Sequence, residues 1–254
     1  MHISAVIIAG NEENKIGDAI RSVDWVDEVI VIDSESTDRT REIAEGMGAY
    51  VITRPWPGFS AQKQFGLEAA SFDWILSLDA DERISPELRD EILNVRNIPL
   101  SLRADGYKMP RLSFYMGRAI RHCGWYPDWQ LRFFNRQKGK WKDVLVHESF
   151  QMRPNATIDR LKFNILHYSS DGAQYHHEMI GKRYAPLAAQ QLFKDGVKTS
   201  PLAIAMAGPI AFFSTYFLKL GILDGLPGYC IARFAAQHAF LKKLCLWEMQ
   251  NEKK

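Results

Sequence analysis

Cysteine is scarce in this sequence. Cys123, Cys230 and Cys245 are the only three in 254 residues, and no two stand in CxxC spacing. Such an odd, scattered set builds neither a disulfide framework nor a cysteine zinc site, and it suits a reducing compartment. Excess charge of either sign is missing too: 32 Lys and Arg face 30 Asp and Glu, a formal net charge of +2. Without a block of like charge, no nucleic-acid partner is expected. The opening MHISAVIIAGNEEN lacks a basic start, and its apolar run is too short for a signal peptide. It is expected to form the first strand of the fold, on the cytoplasmic side. Neither GxGxxG after that strand nor GxxxxGK followed by Ser or Thr occurs, which argues against a Rossmann dehydrogenase or a P-loop enzyme. There is no internal repeat.

What is present is a rhythm. Apolar runs at 4–9, 29–33, 49–53 and 74–79 have the length and Val/Ile content of short strands. Between the first two, Ile16, Ile20 and Val23 recur at helical spacing. A second helix is expected to be capped by Ser36 or Thr37 and to run through Ile43, Ala44 and Met47. A third should begin near Ser60, and a fourth at Ser85-Pro86, with Ser85 as N-cap. Strands alternating with helices predict an α/β fold with a mostly parallel central sheet flanked by helices. After Pro99 the stretches GYKMPRLSFYMG, WQLRFF and FNILHYS read as strands without intervening helices, hence a mixed or antiparallel extension. Helical patterns return near Asp171 and persist, giving expected boundaries of 1–170 for the α/β domain and 171–254 for a helical C-terminal extension.

The strand ends are polar. They carry Asn11-Glu12-Glu13, Asp33-Ser34-Glu35-Ser36, Arg54 and Asp79-Ala80-Asp81-Glu82. In open α/β sheets ligands bind outside these carboxyl ends. A diphosphate held there without a glycine-rich or basic cradle needs another countercharge, and Mg²⁺ or Mn²⁺ is the natural one. Asp79 and Asp81, one residue apart, can project the same way toward such an ion. Acidic residues before a helix also favour its N-terminus, but Ser85-Pro86 already provides that start. Glu82 is expected to be solvated or paired with Arg83. Asp33 either ends a strand and opens a turn or meets a base or ribose. Lys63 is either a solvated helix residue or one that reaches the nucleotide.

The stretches SAVIIAGNEENKIGDAIRSV, EVIVIDSESTDRTREIA and ILSLDADERI together resemble the N-terminal half of family 2 glycosyltransferases, which have the GT-A fold. CGWYPDWQLRFFNRQKGKWKDVLVHES and KLGILDGLPGYCIA are similar to the branch containing lipopolysaccharide core β-glucosyltransferases. The resemblance implies inverting, metal-dependent transfer of a hexose, glucose from UDP-glucose in that branch, onto a heptose of the lipopolysaccharide inner core. By motif position it places Ala9, Asn11, Glu13, Asp33, Arg54, Lys63 and Asp79 around the UDP-sugar. Asp81, Asp79 and His147 would hold the metal. Asp128 or Glu148 would be the catalytic base, with Asp128 preferred. Trp125, Trp129 and Trp141 are either sugar-stacking faces or core.

Residues 199–218, TSPLAIAMAGPIAFFSTYFL, carry no charge and lie near the length of a membrane span, although Pro201 and Gly208-Pro209 interrupt them. A core helix pair, a re-entrant hairpin and an interfacial helix all stay open. With a lipid-linked acceptor implied, the expected location is peripheral, on the cytoplasmic face of the inner membrane, and the C-terminal region either rests there or joins a homo-oligomer. The other enzyme class that fits an acidic rim on such a sheet is a nucleotidyltransferase. A membrane-associated nucleotide-binding protein without catalysis is the remaining reading.

Overall fold

The computed structural model describes residues 1–142, 149–168 and 172–251. The chain forms two compact units, one of Met1–Leu112 with Asp128–Tyr168, the other of Ser113–Pro127 with Ser169–Lys254.

The first unit begins with β1 (Ile3–Ala9), α1 (Ile16–Arg21), β2 (Glu28–Asp33), α2 (Thr40–Gly46), β3 (Tyr50–Thr53), α3 (Phe59–Ala69) and β4 (Trp74–Asp79). Every residue of β1 is buried, as a central parallel strand covered on both faces requires. Its alternate side chains divide between two cores. Ile3, Ala5 and Ile7 pack with Ile16, Ile20 and Ala44 of α1 and α2, whereas Val6 and Ile8 pack with Leu67 of α3. The pleat sends successive side chains to opposite faces, so one strand feeds both layers.

Strand order explains why the helices split in this way. The parallel strands lie in the order β3-β2-β1-β4. Two crossovers step outward from β1 and the third returns past it to β4. With right-handed crossovers, that reversal moves α3 to the other face. It also creates a topological switch point between β1 and β4, where a crevice opens at the strand ends. Gly66 lets α3 seat closely there, since a Cβ at this position would stand 2.4 Å from Val6 Cγ1.

Beyond β4 come β5 (Glu82–Ile84), α4 (Pro86–Asn97), β6 (Gly106–Tyr115), β7 (Arg118–Ala119), β8 (Asp128–Asn135), β9 (Gly139–Trp141), β10 (Phe150–Met152), β11 (Ile158–Arg160) and β12 (Ile165–His167). The main sheet continues β4-β8-β6-β12-β5, with β8 antiparallel to both β4 and β6, and β12 antiparallel to β5. β9 and β10 form a separate antiparallel pair. The expected mixed extension is present. So is the fourth helix, where Ser85 Oγ accepts the Leu88 amide at 3.2 Å and Pro86 occupies the first turn. The second helix starts later than expected, at Thr40 and without a side-chain cap. Ser36 and Thr37 are instead engaged with Asp33 and Asn11.

The second unit contains the end of β6, with β7 paired to it, and then helices. These are α5 (Gly172–Met179), a π-helical stretch Ile180–Tyr184, α6 (Ala185–Lys194), α7 (Pro201–Phe213), a π-helical stretch Ser214–Leu218 and α8 (Gly225–Asn251). Asp224, almost fully buried, accepts the His122 amide and the His122 ring, both at 2.9 Å, and fastens the 121–123 turn to the loop before α8. Gly228 permits this closure, because a Cβ there would stand 1.9 Å from the Gly221 carbonyl oxygen. Cys123 lies in the same knot, and burial, helped by Asp224, pushes its thiol up to about 11.

Candidate active site

Register brings the polar strand ends to one level: Ala9 faces Asp33 and Ile8 faces Asp79. The loops beyond β1 and β2 are laced together there. Asn11, in the left-handed region at φ 56° that Asn tolerates, accepts the Thr37 amide at 2.8 Å through Oδ1. Its own amide donates to Ser36 Oγ at 2.8 Å. Glu13 donates its amide to Asp38 and accepts the Arg39 amide, each at 3.1 Å. Asp33 is fully buried, and both of its oxygens accept from Ser36, one from the amide and one from the hydroxyl. Its backbone carbonyl takes the Arg54 amide at 2.9 Å, while the Arg54 guanidinium lies 4.3 Å over the Phe65 ring. Ala9, Asn11, Glu13, Asp33 and Arg54 therefore lie together along the ends of β1, β2 and β3.

Beside them is a chain of alternating charges. Lys63, 1% exposed, sets Nζ 2.9 Å from Asp79 Oδ1. Asp79 Oδ2 accepts from Arg132 Nη2 at 2.8 Å. The same Arg132 nitrogen reaches Glu82 Oε1 at 2.9 Å, and Arg111 Nη1 reaches that oxygen at 3.1 Å. Arg111 then grips Asp128 Oδ2 through Nε at 2.9 Å and Nη2 at 2.7 Å, while Gln130 donates to Asp128 Oδ1 at 2.7 Å. Three cations and three carboxylates thus connect the end of β4 to the start of β8. Burial alone would raise the Asp79 carboxyl, but Arg132 and Lys63 outweigh it and hold the group far below the ordinary carboxylate range. Burial likewise works against charge on Arg132, and Asp79 with Glu82 reverses that, raising it. A buried ion is tolerable only when so matched.

Two expectations are corrected here. Glu82 is neither solvated nor paired with Arg83: it is fully buried, joins both arginines, and accepts the Asp79 amide at 3.1 Å. Arg83 pairs with Asp18 at 2.6 Å and lies 4.1 Å over the Tyr168 ring. Lys63 is not a solvated helix residue, because α3 turns it inward onto Asp79 and beneath Trp141, whose ring centroid is 5.1 Å from Nζ. Trp141 itself is core, packed on Phe134 and Phe150.

Asp81 stands apart from the charge chain. Its carboxylate is partly exposed, and its nearest ionic partner is His167 Nε2 at 3.4 Å. The backbone carbonyl of Asp81 accepts the Tyr168 amide at 2.8 Å, which fixes the end of β12 beside it. His167 was not among the residues singled out from sequence. The available signal was its place at the end of the FNILHYS strand, but which strand pairs with β5 is a long-range fact. His147 and Glu148 lie outside the described residues. Among the described residues, no three His, Cys, Asp or Glu side chains converge as a ready-made cation cage. The donor set still fits a divalent ion: a partly exposed Asp81 carboxylate 3.4 Å from an imidazole nitrogen, with Asp79 already neutralised. Ions of this kind commonly take one or two protein ligands and complete their shell with substrate phosphate and water.

Beside Arg132 is a cleft of about 480 Å³, lined by Lys108, Trp129, Leu131, Arg132, Trp141 and Phe150 among others. Arg132 Nε is buried and has no hydrogen-bond partner among the described residues.

Residues 4–97 match the family described as Glycosyl transferase family 2. An uncharacterised glycosyltransferase of Rickettsia bellii is 32% identical over 97% of this chain and 86% of its own length. A lipopolysaccharide core biosynthesis glycosyltransferase of Rhizobium meliloti, LpsC, is 28% identical over 94% of this chain and 89% of its own. Among solved structures, glucosyl-3-phosphoglycerate synthase from Mycobacterium tuberculosis, in complex with Mn²⁺ and UDP-glucose, superposes with a TM-score of 0.50 at 20% identity. That match covers 78% of this chain and 80% of the other, and it bears on the fold alone. The chain belongs to glycosyl transferase family 2, with a GT-A-like α/β architecture and a distinct helical C-terminal region.

Proposed function

We propose that this chain transfers a hexose with inversion from a UDP-sugar, glucose from UDP-glucose in the first instance, to a heptose of the lipopolysaccharide inner core. The observation that carries transfer is the Asp79–Asp81 strand end at the switch point, wired through paired charges to Asp128. The acceptor rests on similarity to LpsC across nearly the whole chain. The first unit acts as the nucleotide-sugar and catalytic domain. The second is the part that meets membrane or partner, at the cytoplasmic face of the inner membrane.

In this reading Ala9, Asn11, Glu13, Asp33 and Arg54 form the wall for the nucleoside. Asp81 and His167 hold Mg²⁺ or Mn²⁺, with His147 a further candidate. A bound divalent ion would neutralise charge on the departing diphosphate. Lys63 and Arg132, fixed on Asp79, keep the neighbouring field positive. Asp128 takes the proton from the acceptor hydroxyl as its oxygen bonds to the anomeric carbon and the bond to the diphosphate oxygen breaks. Arg111 and Gln130 hold both Asp128 oxygens in place for that step, so the base is aimed before the acceptor arrives. General base catalysis of this kind contributes about 10²–10⁴-fold.

Titrating UDP with and without Mn²⁺, then assaying nucleotide sugars against truncated-core lipopolysaccharide, tests the reading. Asp81→Ala is expected to abolish the Mn²⁺-dependent part of UDP binding, and Asp128→Asn to lower turnover about 10²–10⁴-fold at unchanged UDP affinity. Normal transfer by Asp81→Ala sinks the metal assignment. If Glu148→Gln rather than Asp128→Asn shows the selective loss of turnover, the base is Glu148.

A further inference from the structure

The second unit turns a continuous apolar face outward. Leu202, Met206, Ile210, Phe213 and Phe217 are all exposed, Leu202 by 72% and Ile210 by 60%. Their spacing of four, four, three and four residues puts them on one side of α7 and the π-helical stretch after it. The loop that follows adds Leu220, Ile222 and Leu223, and the first turn of α8 adds Leu226, each about half exposed or more. No Asp, Glu, Lys or Arg interrupts residues 199–218. Isolated exposed apolar residues are ordinary, but a contiguous stripe ending in a bulky aliphatic loop marks a contact surface.

The opposite side of α7 is taken. A Cβ on Gly208 would stand 3.5 Å from the Ala236 carbonyl oxygen of α8, and Phe212 packs edge-on to Tyr229 at 5.8 Å. Pro201–Leu218 has a mean hydropathy of 1.5 over 18 residues, about 27 Å of helix, so length and composition alone would allow a span. Its partner helix makes one costly. α8 carries Arg233, His238, Lys242, Lys243 and Glu248, which a span would draw into hydrocarbon. A helix clasped by protein on one side and apolar on the other lies in the plane of an interface.

Charge identifies the occupant. The sequence of the second unit has twelve Lys and Arg against six Asp and Glu, a formal +6, whereas the first unit has twenty against twenty-four. Cations mark both ends of the apolar stripe. Lys194 and Lys198 are exposed just before α7; Lys219 follows the π-helical stretch, and Arg118 Nη2 donates to the Leu223 carbonyl at 3.1 Å. A second copy docked on this face would bring a unit of formal +6 against another. An anionic bilayer offers opposite charge to the rim and acyl chains to the stripe.

We infer that this face docks on an anionic lipid bilayer, with α7 in the headgroup plane and the 220–226 segment dipping among the acyl chains. The inference deepens the membrane placement proposed above and does not depend on the transfer chemistry.

The test is sedimentation of the full chain with phosphatidylcholine vesicles, with and without phosphatidylglycerol, at low and high salt. Binding is expected to require phosphatidylglycerol and to weaken with salt. Leu223→Ser with Leu226→Ser, and separately Ile210→Ser with Phe217→Ser, should each weaken it about tenfold or more. Lys194→Glu with Lys198→Glu should weaken binding to the anionic vesicles. These side chains are exposed, so circular dichroism and metal-dependent UDP binding should stay at wild-type values. Absent binding to anionic vesicles, or serine variants that bind like wild type, overturns the inference. So does a lipid-free dimer in analytical ultracentrifugation that the same serine variants disperse. A chain that docks as described but transfers no sugar leaves this inference standing and removes the transfer reading instead.

Discussion

The two units treat polarity in opposite ways. The first buries Lys63, Asp33, Glu82 and Arg132 almost completely, while the second leaves Leu202, Ile210, Leu218 and Leu226 at 60% exposure or more. Both depart from the simple rule that apolar groups go inside and charges stay out. In the first unit, each buried charge meets a partner within the same sheet or its loops. In the second, these apolar side chains keep most of their surface in water. Burial is thus governed by what stands opposite a side chain rather than by its type. A rim prepared for a charged ligand can store charge in advance, and a face prepared for an apolar surface can leave it uncovered.

The largest test of this contrast is Glu82→Gln. Removing the carboxylate shared by Arg111 and Arg132 leaves buried positive charge uncompensated, and a loss of about 3–5 kcal/mol in urea unfolding is expected. A neutral outcome would mean that the charge chain does not hold the first unit together. Asp79 sharpens the same point through pH. Its carboxyl is held far below its unfolded value, so its contribution is complete above about pH 4 and lost progressively as pH falls below that. In Asp79→Asn the fall in stability on acidification should be shallower, by up to about 1.4 kcal/mol per pH unit. Unfolding series from pH 6 to about 3 for both proteins measure that slope. Identical slopes would show that the pairs with Lys63 and Arg132 do not persist in solution.

Gly66→Ala probes packing rather than charge. The added methyl would meet Val6 Cγ1 at 2.4 Å inside a two-faced sheet, and a loss of about 1–3 kcal/mol is expected. The smallest effect should come from the other unit. Ile210→Ser in lipid-free solution is expected to change stability by less than about 0.5 kcal/mol, since the side chain is already in water. A large loss there would show that the face is covered in solution and would dissolve the contrast between the units.

Several of these features were legible in advance. The strands ending at Ala9, Asp33, Thr53 and Asp79 and the Ser85-Pro86 helix start were found because alternation, β-branching and capping are written within a few residues of each element. The second helix starts later than local signals suggest, for a related reason. Ser36 and Thr37 look like caps locally, yet Asp33 and Asn11 compete for their hydroxyl and amide groups. The burial of Glu82 is not written locally, because its partners, Arg111 and Arg132, are 29 and 50 residues away. The role of His167 is not legible locally, because only the pairing of β12 with β5 sets it beside Asp81.

The sequence by itself determined the alternation of strands and helices as far as β4, the acidic strand end at Asp79–Asp81 and the uncharged stretch before Lys219. Each is a property of neighbouring residues and of short-range periodicity. Only the tertiary structure decided which carboxylates are spent on ion pairs and which stay accessible, and which side of α7 is left exposed. Those outcomes depend on through-space distances of a few ångströms between segments far apart in the chain, where Coulomb attraction and desolvation nearly cancel and geometry settles the balance.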